Sequence, residues 1–248
     1  MAALASGSPA QALQLPPPYT LVPLREVGDA FAHACKAAPE AGAGTFVWVR
    51  RFDTLEFAVV LEPEEPLASA RRAVFAGMNA VADALASHAP PEKPVTFAWP
   101  VTILVDGSRL GGGRLGWPEG CAENEVPDWL VFSAQLLAVH VGETEPGVHP
   151  DATWLVEEGF DPAEGHAIIE SFSRHLMTAF DLWNANGFAS VARDYLARLP
   201  KAGQTGQRGI DGNGDLLIHG HGEAERIPLL PGLRQPEWLD PSTGAPRL

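Results

Sequence analysis

The sequence predicts an α+β fold, a mixed or antiparallel sheet flanked by helices, with a small β appendix at the C-terminal end. Three observations carry this expectation. Strand-like runs rich in β-branched and aromatic residues come in closely linked pairs, as at 45–51 and 55–61. Segments with helical apolar spacing stand between those pairs rather than after every strand, so the alternation of a doubly wound parallel sheet is missing. A last pair of short runs turns at Gly212-Asn213-Gly214.

Each element has its own signal. Residues 26–36 read as a helix with Val27, Phe31, Ala34 and Cys35 on one face, ended by Ala41-Gly42-Ala43-Gly44. The runs 45–51 and 55–61 follow, joined by Phe52-Asp53-Thr54 as a hairpin. After a turn at 63–66, a helix is expected over 67–87, where Val74, Met78, Val81 and Leu85 form an apolar stripe. A strand at 95–99 is broken by Pro100. Residues 103–105 then enter an Asp106-Gly107 turn, and Gly111-Gly112-Gly113 opens a third short strand. A polar loop spans 117–128. Residues 129–139 are the longest strand candidate, with Leu130, Phe132, Ala134 and Leu136 on one face. The stretch 140–159 reads as loop. A helix over 161–184 turns Ile168, Ile169, Phe172, Leu176, Ala179 and Trp183 inward and stops at Gly187. A shorter helix covers 189–199, a linker 200–207 and a hairpin 210–218, and the Pro-rich end is expected to pack as an irregular arm. The domain reading is a lead-in over 1–17, a main domain over 18–200 and a small β domain or tail over 208–248.

Composition narrows the function. A net charge of −14 over 248 residues argues against nucleic-acid or anionic-membrane binding, both of which need a basic footprint. No apolar run approaches the roughly 18 residues of a spanning helix. The N-terminus lacks the basic-then-apolar pattern of a secretory leader, so the cytoplasm is the expected compartment. Two cysteines, Cys35 and Cys121, make neither a disulfide framework nor a zinc site. Cys35 reads as packing and Cys121 as a loop residue. His219 and His221 alternate on one strand face without a third ligand, so no metal site is expected. Tryptophans 48, 99, 117, 129, 154 and 183 divide between core and pocket wall.

The segment 97–115 carries the specific signal. Trp99-Pro100, the apolar Ile103-Leu104-Val105, the Asp106-Gly107 turn, and Leu110 with Gly112 resemble the central motif of the biotin and lipoate protein ligases. The order of elements is similar to that family over roughly residues 18–220. The resemblance implies a biotin/lipoate ligase catalytic-domain-like fold and a function in activating or transferring a biotinyl, lipoyl or octanoyl group to a lysine of a carrier protein. It implies ATP with Mg²⁺ and biotin or lipoate as ligands, and it leaves room for a homodimer. It also marks departures. The family's lysine position is Ala98, and its Asn-Asp pair is Val101-Thr102. Its Gly-Arg-rich loop is reduced to Arg50-Arg51 and a short turn, and no lysine stands between Pro94 and Pro200. No catalytic residue is therefore assigned. The alternative is a non-catalytic relative that binds a ligand or a protein. The residues expected to bind a small carboxylic acid are Trp99, Arg109, Gly111, Gly112, Arg50, Arg51 and Arg114, with Arg109 at the position of a second family lysine.

Overall fold

A computed structural model of the chain describes residues 13–142, 148–201, 206–220 and 224–248. Residues 1–12 of the expected 1–17 lead-in, part of the 200–207 linker and His221 lie outside the described residues. Strand β1 (Thr20–Leu24) pairs in parallel with β2 (Thr45–Val49). From β2 the sheet continues through β3 (Thr54–Leu61), β7 (Leu130–Leu137), β6 (Ser108–Gly116), β5 (Thr102–Val105) and β4 (Val95–Ala98), every pair antiparallel. The sheet is therefore mixed, with seven strands. A second sheet joins β8 (Gln207–Ile210), β9 (Leu216–His219) and β10 (Glu225–Ile227).

Strand alternation gives the large sheet two unlike faces. Phe46, Trp48, Phe57, Phe97, Ile103, Leu110, Phe132 and Leu136 join the main core, which is covered by α3 (Ala73–His88), α4 (Gly165–Asn186) and α5 (Phe188–Arg198). On the other face Val47, Val49, Ala58, Val60 and Val131 meet Ala30, Ala34 and Ala38 of α1 (Ala30–Ala41). The small side chains of α1 let it lie close to the strands.

Several boundaries differ from expectation. Helix α1 begins three residues after Val27, because Asp29 caps it by accepting from the Ala32 N–H at 2.8 Å. Val27 is 97% exposed and packs nothing. Strand β1 was not expected. Pro23 interrupts its pattern, and the chain tolerates that proline because β1 is an edge strand. The 67–87 helix is two pieces, α2 (Leu67–Ala70) and α3, and Arg71 and Arg72 at the break pair with Glu123 and Glu65. The glycine run lies inside β6, whose nine residues make it longer than β7. The C-terminal arm holds a short helix, α6 (Leu229–Arg234), and Leu229, Leu233 and Trp238 enter the main core.

Candidate functional site

Strand register places the motif. Glu56 of β3 pairs with Gln135 of β7, Gln135 with Gly112 of β6, Gly112 with Thr102 of β5, and Thr102 with Ala98 of β4. Directly paired residues share a face. These five therefore form one row across the sheet, on the side away from α3 and α4. Ser133 and Arg114 pair with each other one step along on the same face. Glu56, Thr102, Ser133 and Gln135 are all buried. Among the described residues, the side chains of Ser133 and Gln135 make no hydrogen bond. A strip of polar groups with spare hydrogen-bonding capacity thus lies on an otherwise apolar sheet.

The strip has a charged end beneath α1. Glu56 Oε1 accepts from the Ala30 N–H at 2.6 Å, and Oε2 lies 3.7 Å from Arg51 Nη1. Burial raises the Glu56 pKa; the Ala30 hydrogen bond and the charges of Arg51 and Arg114 oppose that, while Asp29 adds to it. Arg114 lies with its guanidinium 3.8 Å from the Phe31 ring centroid. Burial lowers its pKa against the opposing pull of Asp29, Cys35 and Glu56, and an arginine stays charged under such a load.

At the other end lies a recess of about 280 Å³ lined by Ala98, Thr102, Arg109, Asp151, Glu237 and Trp238, among others. The positions that the resemblance gives to the two lysines, Ala98 and Arg109, are thus brought together with Thr102. Arg109 Nε donates to the Arg247 carbonyl at 3.2 Å. The recess contributes one cationic side chain and two acidic ones.

Two glycines open the floor. Gly111 has φ +148, and a Cβ there would strike the Gln135 carbonyl. A Cβ on Gly112 would overlap both the Val101 carbonyl and the Trp238 indole. Trp238, fully buried, therefore stands directly over Gly112 and donates from Nε1 to the Gly113 carbonyl at 3.0 Å.

The remaining expected residues go elsewhere. The Trp99–Pro100 peptide is cis. Trp99 faces the helix side, with its ring 5.7 Å from Phe75 and 6.0 Å from Tyr195. Tyr195 fastens the motif by donating to the Pro100 carbonyl at 2.8 Å. Arg51 is occupied by Asp53 at 3.2 Å as well as by Glu56. Arg50 is exposed. Lys93 sits at the Asp106 turn, 2.8 Å from Asp106 and 2.8 Å from Glu158, away from the strip. Burial raises the Cys35 pKa to about 11. Burial and then the charges of Glu125, Asp128 and Glu123 raise that of Cys121. Neither cysteine is set up as a nucleophile. No group of three or more metal-ligating side chains exists among the described residues.

Sequence reasoning missed Glu56, Ser133, Gln135 and Trp238. Alternation along 130–137 did set Ser133 and Gln135 opposite the apolar face, which is the one signal that could have found them. Nothing local marks Trp238.

The family model described as the biotin/lipoate A/B protein ligase family matches residues 15–197, ending before β8. A biotin–[acetyl-CoA-carboxylase] ligase of Paracoccus denitrificans is 28% identical, over 92% of this chain and 97% of that protein. A biotin protein ligase-like protein of unknown function from Silicibacter sp. TM1040 has a similar structure, with TM-score 0.76 and 26% identity over 90% of this chain and 99% of that one. The biotin protein ligase of Aquifex aeolicus, solved with biotin and ATP, aligns with TM-score 0.60 and 16% identity over 84% of this chain and 94% of that one, a likeness of fold.

Proposed function

Because the chain belongs to the biotin/lipoate A/B protein ligase family, we propose that it binds a small carboxylic acid of the biotin, lipoate or octanoate type on the polar strip of its sheet. We further propose that it does so without ATP-dependent activation of that acid. The observation that carries this reading is the row Glu56–Gln135–Gly112–Thr102–Ala98. Its acid-binding half is equipped and its nucleotide half is not. Arg114 supplies a charge for the carboxylate, and Gln135 and Ser133 supply unused donors and acceptors for a polar head group. The apolar chain of the acid would run along the adjoining strand surface.

The other half does not fit MgATP. Activation of an acid by ATP concentrates negative charge that must be balanced where it develops. Ala98 and Thr102 offer no charge, and Asp151 and Glu237 in the recess repel a polyphosphate. A Mg²⁺ ion prefers carboxylates placed around a phosphate, and the row presents a threonine instead.

A second reading rests on Arg109. Its place in the recess beside Thr102 would let it stand in for a lysine, and the chain would then activate or transfer the acyl group to a carrier-protein lysine. Isothermal titration separates the two. Biotin, lipoate and octanoate are titrated into the full chain with and without MgATP. The binding reading expects saturable uptake of an acid with the same affinity in both. Uptake that requires MgATP, with release of pyrophosphate, supports the second reading and contradicts the first. Neither reading calls for a nucleic-acid or membrane partner, and no helix among the described residues is long and apolar enough to cross a membrane.

A further inference from the structure

We propose that the free edge of β8 docks an extended segment of a partner protein. That segment alternates apolar and acidic residues and adds to the small sheet as a fourth strand. The site lies apart from the polar strip and does not rest on the acid-binding reading. Strand β8 also follows the segment that the family model matches.

Backbone hydrogen bonding identifies the edge. Facing residues of an antiparallel ladder alternate between bonded and unbonded pairs. Just past the end of β8, the Asp211 N–H donates to the Asp215 carbonyl at 3.0 Å. Counted back through the register, Gly209–Leu217 and Gln207–His219 are bonded pairs, while Arg208–Ile218 and Ile210–Leu216 are not. Arg208 and Ile210 therefore turn their N–H and C=O groups away from β9. Strand β8 is the last of its sheet, and among the described residues no other hydrogen bond reaches those four groups. An edge in this state is a template for another strand. Its sequence, Gln207-Arg208-Gly209-Ile210, has no proline to block pairing.

A cleft of about 1,000 Å³ runs along that edge. It touches every residue from Gly206 to Gly212 and none of β9 or β10, so it lies beside the sheet rather than over a face. Its opposite wall is one side of α5, where Phe188, Ala189, Ala192, Arg193, Leu196 and Ala197 recur at helical spacing. The alanines leave room. Gly209 adds to it, since a Cβ there would meet nothing within 4 Å. Arg208 fixes the width of the cleft by donating to the carbonyls of Leu196, Leu199 and Pro200 at 3.0, 2.7 and 3.1 Å. A strand added at the usual spacing of about 4.8 Å lies within this space.

Charge indicates the partner. Arg72, Arg193, Lys201 and Arg208 border the cleft against the single carboxylate of Asp211, in a chain of net charge −14. Arg72 is paired with Glu65 and Arg208 is bound to carbonyls. Arg193 and Lys201 stand exposed at the rim, and Arg193 engages only its neighbour Asp194. Side chains on one face of an added strand meet Ala192 and Leu196, and carboxylates on the other reach the rim. A nucleic acid carries the charge but lacks the alternating N–H and C=O groups that the edge requires.

The test titrates three capped octapeptides into the full-length protein. One alternates glutamate and valine, one alternates lysine and valine, and the third is the glutamate–valine peptide N-methylated at every residue. Amide signals and hydrogen exchange of β8 are followed by NMR. In the free protein the Arg208 and Ile210 amides exchange fast, while those of Gly209 and Asp211 are protected. The glutamate–valine peptide saturates at about 1 mM or below, as four main-chain hydrogen bonds allow, and slows the Arg208 and Ile210 amides about tenfold. Arg193→Glu and Lys201→Glu together change only exposed side chains and weaken that binding about tenfold. Arg208 and Ile210 amides already slow in the free protein overturn the free edge. Equal binding of the lysine or N-methylated peptide, or no protection from the glutamate–valine peptide, overturns the docking site. A thymidine octanucleotide that binds as well as the peptide overturns the protein partner. Loss of the β8 signals with rising protein concentration alone gives the edge to a second copy of the chain and overturns it too.

Discussion

Substituting Gly112 with alanine sets one methyl group against three atoms at once: the Val101 carbonyl oxygen and Cδ1 and Nε1 of Trp238. The Val101 oxygen also accepts from the Gly113 N–H at 2.8 Å, so strand pairing holds it in place. The indole is the neighbour that can move. Its departure exposes a fully buried tryptophan and breaks the 3.0 Å hydrogen bond to Gly113. Losing a buried tryptophan costs about 3–5 kcal/mol, and losing one hydrogen bond about 1 kcal/mol. Overpacking that a core can absorb costs only about 1–3 kcal/mol. The expected loss is therefore about 3 kcal/mol or more in urea denaturation. Hydrogen exchange supplies the location: the amides of Gly244 and Arg247, bonded to Asp240 and Trp238, lose protection while those of β7 keep theirs. Gly107→Ala is the control. Its Cβ would meet no atom within 4 Å, leaving only the strain of φ +87, about 1 kcal/mol. A Gly112→Ala protein within about 1 kcal/mol of wild type, with the Arg247 amide still protected, refutes the close seating of the tail on the motif.

Three further outcomes follow from the same geometry. Arg114→Gln should weaken binding of octanoate or lipoate about 10- to 100-fold, the worth of one charge-assisted hydrogen bond, while Arg109→Ala stays within about twofold because it lies in the recess at the far end of the row; the reverse ranking in a titration puts the acid in the recess. Glu56 has a folded pKa raised above its unfolded value, so the folded chain holds the extra proton and stability falls as pH rises through the interval between the two values. Glu56→Gln, which can still accept from the Ala30 N–H, should flatten that slope in denaturation curves taken across the acidic range, and an unchanged slope removes Glu56 as its source. Cys35, at about 11, holds only roughly one thiolate in ten thousand near neutral pH. Its alkylation by iodoacetamide, followed by peptide mass, should be slow at neutrality and accelerate steeply with pH; rapid labelling at neutral pH contradicts the burial argument.

How much was legible in the sequence depended on whether the signal was local. The paired strands β2–β3 announce themselves through β-branched and aromatic composition and a short link, and β5–β6 through Asp106-Gly107, both of positive φ as a tight hairpin turn requires. The apolar face of β7 was read correctly, and Leu130, Phe132, Ala134 and Leu136 are all in the main core. Its other face was harder. Ser133 and Gln135 have the composition of a solvent-facing row, yet both are buried in the folded chain, and that covering is a tertiary event with no local mark. Strand β1 escaped because Pro23 spoils its pattern, while its parallel partner lies more than twenty residues away. The strand-turn-strand order of the motif was legible. The direction of Trp99 was not, because it depends on the aromatic cluster of Phe75 and Tyr195 contributed by α3 and α5. Trp238 was the least legible residue, an isolated tryptophan in a Pro-rich stretch whose partner is a glycine more than a hundred residues earlier.

The central claim is that this sheet face holds a biotin- or lipoyl-type acid but does not adenylate it. Native mass spectrometry of the purified full chain, incubated with MgATP and with biotin, lipoate or octanoate in turn, tests it most directly. The account predicts an adduct with the mass of the free acid, unchanged when MgATP is left out. A retained mass equal to an acyl-adenylate contradicts it, and would mean that the arginines of this face have taken over the work of the missing lysine.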